Sequence, residues 1–142
     1  MDRLDSSARS ALMARIRGRD TTPEILVRRT LHARGIRFRL HRRDLPGSPD
    51  VVLPGRHLCI FVHGCFWHRH PGCRHASMPA SNVSFWTEKF ARNVRRDRRV
   101  RRRLRALGWR TAVVWECVAL HPARLEARLQ RILAGAQVCH GR

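Results

Sequence analysis

The stretch Leu45-Pro46-Gly47-Ser48-Pro49-Asp50-Val51-Val52-Leu53-Pro54-Gly55-Arg56-His57-Leu58-Cys59-Ile60-Phe61-Val62-His63 decides the fold. Two apolar runs, Asp50 to Leu53 and Leu58 to Val62, read as neighbouring central strands joined by the short hairpin-like turn Pro54-Gly55-Arg56. Before them, Leu45 to Pro49 is a turn, because each proline bars a continued helix.

Towards the N-terminus, Ile36 to His41 alternates apolar and basic residues and predicts a strand with one buried face. Thr22-Pro23-Glu24 reads as a helix start, with a hydroxyl N-cap and proline at the first helical position, and Gly35 as its stop. Ala8, Leu12 and Ile16 space a shorter helix ended by Gly18. Towards the C-terminus, residues 64–82 follow neither period and form a long loop of the kind that is functional or metal-bound. Ser84 is expected to cap a long helix to Leu107, closed by Gly108. Trp109 to Glu116 reads as a buried strand and Pro122 opens a last helix, with residues 135–142 as a flexible tail. The expected fold is a single α/β domain over residues 1–142, a mixed central sheet flanked by helices.

Composition narrows the partner. In 142 residues, 30 Lys+Arg face 10 Asp+Glu, a net charge of +20, while 43% hydrophobic residues provide for a core. A folded domain with this excess, nearly all arginine, points to a polyanion such as nucleic acid. No apolar run spans a bilayer and residues 1–20 lack a signal-peptide core, so a cytoplasmic protein is expected. Five cysteines and nine histidines in a reducing compartment favour metal ligation over disulfides.

Three constellations could carry chemistry. Asp50 heads a strand, where a carboxylate can hold a hard cation such as Mg²⁺; the alternative is an ordinary turn aspartate. Nucleases of the restriction-endonuclease-like class follow Pro-Asp with an acid-x-Lys triplet on the next strand, and Phe61-Val62-His63 stands there instead. In the loop, Cys65, His70 and Cys73 are spaced as soft ligands, and Cys117 after the strand could complete a closed Cys₃His zinc site; unrelated side chains are the alternative. Phe66 and Trp67, at the tip of that loop, are either a core plug or a wedge that stacks on bases. Cys59 reads as a buried small residue and Cys139 as part of the tail. On the long helix, at about 100° per residue, Phe90, Val94, Asp97, Arg101 and Leu104 share the inward face. An inward acid on so basic a helix needs a structural arginine or a catalytic histidine, and the outward arginines are either a solvated face or phosphate contacts.

The blocks Leu45 to Asp50, Ile60 to His68 with its His-Gly-Cys-Phe-Trp-His run, Phe85-Trp86-x-x-Lys89, Asn93 to Arg99 and Leu107 to Cys117 resemble the very-short-patch repair DNA mismatch endonucleases. That resemblance spans about Ser10 to Leu120. It implies a restriction-endonuclease-like fold without the usual second acid and lysine, and nicking of one DNA strand beside the thymine of a T·G mismatch left by deaminated 5-methylcytosine. Asp50 and the Val62 carbonyl would then hold Mg²⁺, with two ions possible, and Glu24 would hold metal-bound water. His68 would be the general base, oriented by Asp97 and assisted by His63. Cys65, His70, Cys73 and Cys117 would bind structural Zn²⁺. Phe66, Trp67 and Trp86 would wedge beside the mismatch, Met13 on an N-terminal DNA-contacting helix within residues 1–20 would enter from the other groove, and Lys89 and Arg96 would contact DNA. The implied partner is double-stranded DNA with a T·G mismatch, bound by a monomer near the nucleoid, with mismatch-repair accessory proteins acting on the nick. Arg69 departs from the histidine run that members often continue, and Pro71-Gly72 lengthens the spacing to Cys73. Competing readings are a non-catalytic zinc-bearing DNA-binding module and a nuclease that cuts matched DNA.

Overall fold

The computed structural model describes residues 20–138. Met13 with the expected N-terminal helix, and Cys139 with the end of the expected tail, lie outside the described residues.

Helix α1 spans Thr22–Ala33. Its N-cap is Thr21 rather than Thr22: the Glu24 amide bonds the Thr21 hydroxyl at 3.4 Å, and the Thr21 amide donates to Glu24 Oε2 at 3.0 Å. This reciprocal box requires an acid three residues after the cap, a spacing Thr21 meets and Thr22 does not. Strand β1 is only Arg39–Leu40, both exposed. The expected six-residue strand shrinks because β2, Val51–Leu53, is bracketed by Pro49 and Pro54 and offers three residues to pair with. Ile36 and Phe38 still pack on the core without strand pairing. A 3₁₀ turn, Pro54–Arg56, closed by His57 at φ 50°, leads to β3, Leu58–His63.

Helix α2 is Val83–Ala106, β4 Arg110–Trp115, α3 Glu116–Ala119 and α4 Pro122–Val138. The N-cap of α2 is Asn82, in the left-handed region at φ 54° and without a side-chain cap bond, so Ser84 does not cap it. The ends of α1 and α2 follow expectation: Gly35 (φ 73°) and Gly108 (φ 91°) take the left-handed position after the last turn. The strand expected from Trp109 to Glu116 is β4, one residue shorter at each end, and the short α3, which the sequence did not announce, turns the chain immediately after it. Helix α4 runs through Gly135 to Val138, where the tail was expected to begin.

The sheet order is β1-β2-β3-β4, antiparallel except for the parallel β3·β4 pair, so β4 is an edge rather than a central strand among the described residues. Strand alternation divides the core into two layers. Val51, Leu53, Leu58, Ile60 and Val114 face one side and pack with Val27 and Leu31 of α1 and with Leu125, Leu129, Ile132 and Leu133 of α4. Val52, Cys59 and Phe61 face the other side, against Leu104 of α2 and Leu45. The mixed α/β sandwich expected from the sequence is therefore the observed architecture. Helix α2 is the longest, yet only Phe90 and Leu104 are buried on it. Each fully buried residue of this size is worth about 1.5–3 kcal/mol, so two anchors hold a 24-residue rod whose remaining surface is available to charge.

Candidate active site

The site lies where β3 ends beneath α2. Along β3 the odd positions Cys59, Phe61 and His63 point towards α2, so His63 arrives on the same face as the inward side of that helix. It is 5% exposed, and burial, reinforced by the neighbouring His68, pushes its imidazole down to about 3. His63 is therefore neutral at physiological pH. The turn after β3, closed by the His68 amide on the Gly64 carbonyl at 3.1 Å, folds His68 back over His63, with the rings stacked at 3.9 Å.

Asp97 meets His68 from α2. Their Nδ1···Oδ2 distance is 2.7 Å and both side chains are largely buried. Burial opposes ionisation of Asp97, but the His68 hydrogen bond and the neighbouring positive charges outweigh it and hold the carboxyl below its ordinary range. An ionised carboxylate only accepts, so the proton between them sits on Nδ1, and the neutral imidazole keeps its lone pair on Nε2. The inward acid of the helix thus has a histidine partner, not a structural arginine.

Asp50 stands at the start of β2, where its Oδ2 accepts the Val62 amide at 2.7 Å. The register Val51↔Ile60 makes that amide the next β2-facing group along β3, beyond the last backbone pair. The Val62 carbonyl, on the same edge of the strand as its amide, faces the same way. Burial, then a side-chain hydrogen bond with Glu24, raises the Asp50 carboxyl to about 8. Glu24 itself is 4% exposed at the first turn of α1. Two carboxyls in contact in a buried corner are a set of hard oxygen donors that a cation would relieve.

The Cys/His cluster lies beside this corner. Cys65, His70, Cys73 and Cys117 bring one ligand atom each to within 4.8 Å of one another. His70 Nδ1 is 3.6 Å from Cys65 Sγ and 3.5 Å from Cys117 Sγ, with its ring stacked on Trp115. Burial raises the Cys65 thiol to about 12, whereas hydrogen bonding, led by the His75 backbone, lowers that of Cys73. The set could hold a metal ion. Cys59, fully buried in β3, is remote from it and inert, as expected.

Phe66 and Trp67 are half-buried rather than free at a loop tip. They join Trp86 and Phe90 in an aromatic cluster with centroid separations of 5.0–6.0 Å for the pairs Phe66–Trp67, Phe66–Phe90 and Trp67–Trp86. Phe85, beside it, is 54% exposed. Together with Asp50, Glu24, Val62, His63, His68 and Asp97, the side chains of Phe66, Trp67, Trp86, Lys89 and Arg96 line one groove of about 1520 Å³. Every catalytic, Mg²⁺-ligating and DNA-contacting residue expected from the sequence borders it, Met13 aside, which lies outside the described residues. Outward on α2, Arg95, Arg96, Arg98, Arg99, Arg102 and Arg103 are exposed. Among the described residues the α2 arginines have one ion pair, Arg92 with Glu88 at 3.9 Å.

Sequence reasoning missed four supports. Arg28 is seated among Asp20, Glu24 and His41. Arg69 donates to the carbonyls of Phe66, Ala76 and Ser77, with its guanidinium 3.9 Å above Phe90. Asn93 donates to the Trp67 carbonyl at 3.1 Å, and Glu116 accepts the Cys65 amide at 3.4 Å. Glu116 follows β4 directly, which was the only available hint.

Residues 1–74 match the family model described as DNA mismatch endonuclease Vsr. A type II nicking enzyme of Xanthomonas oryzae, V.XorIIP, is 52% identical over 132 residues, 93% of this chain and 96% of that protein. The DNA mismatch endonuclease Vsr of Escherichia coli is 45% identical over 113 residues, 80% of this chain and 72% of that protein. The type II nicking enzyme V.NmeAIP of Neisseria meningitidis is 38% identical over 93% of this chain and 94% of that protein. With a groove that gathers a histidine–aspartate pair and a buried carboxylate corner, and with kinship running nearly end to end, this chain belongs to the Vsr family of DNA mismatch endonucleases.

Proposed function

We propose that the chain nicks one strand of duplex DNA beside the thymine of a T·G mismatch, in a Mg²⁺-dependent phosphodiester hydrolysis. The observation that carries this reading is the His68–Asp97 pair opening into the same groove as Asp50. A bare DNA-binding module has no need of that arrangement.

His68, held by Asp97, takes the proton of the attacking water at Nε2, and the ionised Asp97 stabilises the imidazolium that results. His63, kept neutral by burial, offers hydrogen bonding near the scissile phosphate without competing for that proton. The hard donors of the carboxylate corner fit Mg²⁺: Asp50 and the Val62 carbonyl would hold it, with Glu24 as second carboxylate. Mg²⁺ would supply positive charge at the phosphoryl oxygen and the leaving 3′-oxygen.

Zinc fits the Cys/His cluster. A tetrahedral ion with Zn–S about 2.3 Å and Zn–N about 2.05 Å spaces a nitrogen and a sulfur ligand about 3.6 Å apart, and the His70 separations are 3.6 and 3.5 Å. Pro71-Gly72 is absorbed by a turn with Gly72 at φ 70°, so the longer spacing still brings Cys73 to the cluster. Phe66, Trp67 and Trp86 form the wedge, with Met13 entering from the opposite groove, while Lys89 and Arg96 contact phosphates. Unstacking costs a few kcal/mol per step and less at a mismatch, which selects weakly stacked sites.

The test is a nicking assay on duplexes with a single T·G pair in varied flanking contexts, with Mg²⁺ and a fully paired control. The expected product is one nick in the thymine strand, and Asp50→Ala abolishes it while keeping binding. No T·G-dependent nick in any context, or equal cutting of paired duplex, refutes the reading.

A further inference from the structure

Seven arginines among the described residues are half-buried, and six of them have an evident structural use. Arg28 and Arg42 pair with the carboxylates of Asp20 and Asp44, while Arg56, Arg69, Arg110 and Arg128 donate to backbone carbonyls. The seventh, Arg101 on α2, has no hydrogen bond, ion pair or ring contact with any described residue. None of its nitrogens is among the buried atoms that lack a partner, so its fork stays in reach of solvent although the residue is half covered. An arginine with a covered stem and an unengaged fork is a receptor for an anion that comes from outside the fold.

The place of Arg101 in the groove says which anion. Along α2 the groove meets, in chain order, Trp86 and Lys89, then Asn93 and Arg96, then the Asp97 that holds His68, and last Arg101. Asp97 and Arg101 are four residues apart, hence about 6 Å along the helix axis and on the same face. The charge of Arg101 reaches His63, the ring stacked on His68, while Asp97 gives its carboxylate to His68 and leaves the guanidinium uncompensated. The backbone here is fixed from the other side. Gly47 (φ 74°) presses the turn before β2 onto α2 so closely that any Cβ would strike the side chain of Val100, and Ser48 of that turn lines the same groove. Arg101 therefore projects from a clamped part of the helix, one turn past the histidine–aspartate pair.

We infer that Arg101 is a phosphate-binding subsite that holds, on the cut strand, the backbone phosphate next to the one hydrolysed, on the side away from the aromatic wedge. The inference rests on the nicking reading given above. With the mismatch at Phe66, Trp67 and Trp86 and the reacting phosphate at His68, the strand runs on along α2 to Arg101, whose planar fork matches two oxygens of a phosphodiester. Lys89 and Arg96 precede Asp97 on the helix and Arg101 follows it, so the reacting phosphate is held from both sides, which is what fixes its position for attack.

The test pairs Arg101→Met, which keeps an apolar stem, with a T·G duplex in which a neutral methylphosphonate replaces that one phosphate, in a double-mutant cycle of dissociation constants. On the unmodified duplex Arg101→Met is expected to bind about 10-fold more weakly and to reduce the steepness of log Kd against log salt by about one. Arg101→Lys is expected to keep the wild-type salt slope, and Arg101→Gln replaces Arg101→Met if the latter fails to fold. On the methylphosphonate duplex, wild type and Arg101→Met are expected to bind alike. Additive losses in the cycle, coupling to a different phosphate, or an unchanged salt slope in the folded uncharged variant overturns the subsite while T·G nicking by wild type stands. Wild type that shows no T·G-dependent nick overturns the nicking reading and this inference with it.

Discussion

Two clusters of chemically capable side chains meet at the loop of residues 64–82, and they are built on opposite principles. Cys65, His70, Cys73 and Cys117 turn four soft donors towards one another, so that a tetrahedral ion there has no position left for substrate. His63, His68 and Asp97, of which His68 lies between two of those ligands in the chain, spend their mutual contacts on orientation and leave Nε2 of His68 and the carboxylate corner to a groove. A saturated coordination shell supplies folding energy, and an unsaturated hydrogen-bond network supplies chemistry. Placing both on one loop lets the first hold the second in register.

The largest effects should separate the clusters. Cys117→Ser removes one thiolate from the closed site. Structural zinc is worth about 10–16 kcal/mol in small domains, comparable with the whole stability of a domain this size. The variant should lose zinc by elemental analysis and show no cooperative melt. His68→Ala should keep one zinc and a cooperative melt, lowered by the lost Asp97 contact, yet lose about 10²–10⁴ in kcat, the usual share of a general base. A His68→Ala protein that loses its zinc would show that the two clusters are one structural unit, and the contrast would fall.

Asp97→Asn tests the open cluster from its second member. An amide can present its NH₂ to Nδ1 and favour the wrong tautomer, so kcat in single-turnover nicking should fall by about 10²-fold with DNA affinity kept. The pH response has a definite sign. The folded state holds the Asp97 carboxyl below 3.8, so its ionised form stabilises the fold above that pH, and the contribution is lost as the pH falls through the lowered value. Acid unfolding of Asp97→Asn, followed by circular dichroism below about pH 4, should therefore be shallower than that of wild type. An identical acid limb would show that the His68 contact contributes nothing to stability.

The same contrast explains which parts of the site were legible in the sequence. Cysteine and histidine are rare enough that Cys65, His70, Cys73 and Cys117 declare themselves, and helical periodicity alone turns Asp97 inward. The sandwich was legible because β2 and β3 alternate cleanly between two apolar layers. Arg28 and Arg69 were not, because each is one arginine in a chain with 30 Lys+Arg, and only tertiary partners distinguish them from the solvated face of α2. Helix starts were misplaced by one or two residues for a related reason. Thr21 and Thr22 carry the same hydroxyl and only the reach of Glu24 chooses between them, while Asn82 begins α2 by its backbone conformation with no side-chain bond to signal it. The truncated β1 shows pairing overriding pattern: alternation over Ile36 to His41 was real, but a three-residue neighbour between prolines cannot pair six residues.

The smallest predicted effect probes what joins the clusters. Arg69 stands where relatives' histidine run was expected to continue, in the left-handed region at φ 56°, and its guanidinium gathers the carbonyls of Phe66, Ala76 and Ser77 over the Phe90 ring. It touches neither metal ligand donors nor His68. Instead it ties the two ends of the loop to α2, beneath the aromatic cluster. Arg69→Met keeps the stem and deletes the donors, and hydrogen bonds from a charged group to carbonyls that water can still reach should cost about 2 kcal/mol in urea unfolding. Zinc content should be unchanged, because the four ligands keep their own turns. If Arg69 only stabilises, nicking of T·G duplex falls no more than the folded fraction does. A larger loss, with Mn²⁺ binding intact, would mean that the strap positions Phe66 and Trp67 for DNA, and that the loop has a third task which neither cluster performs.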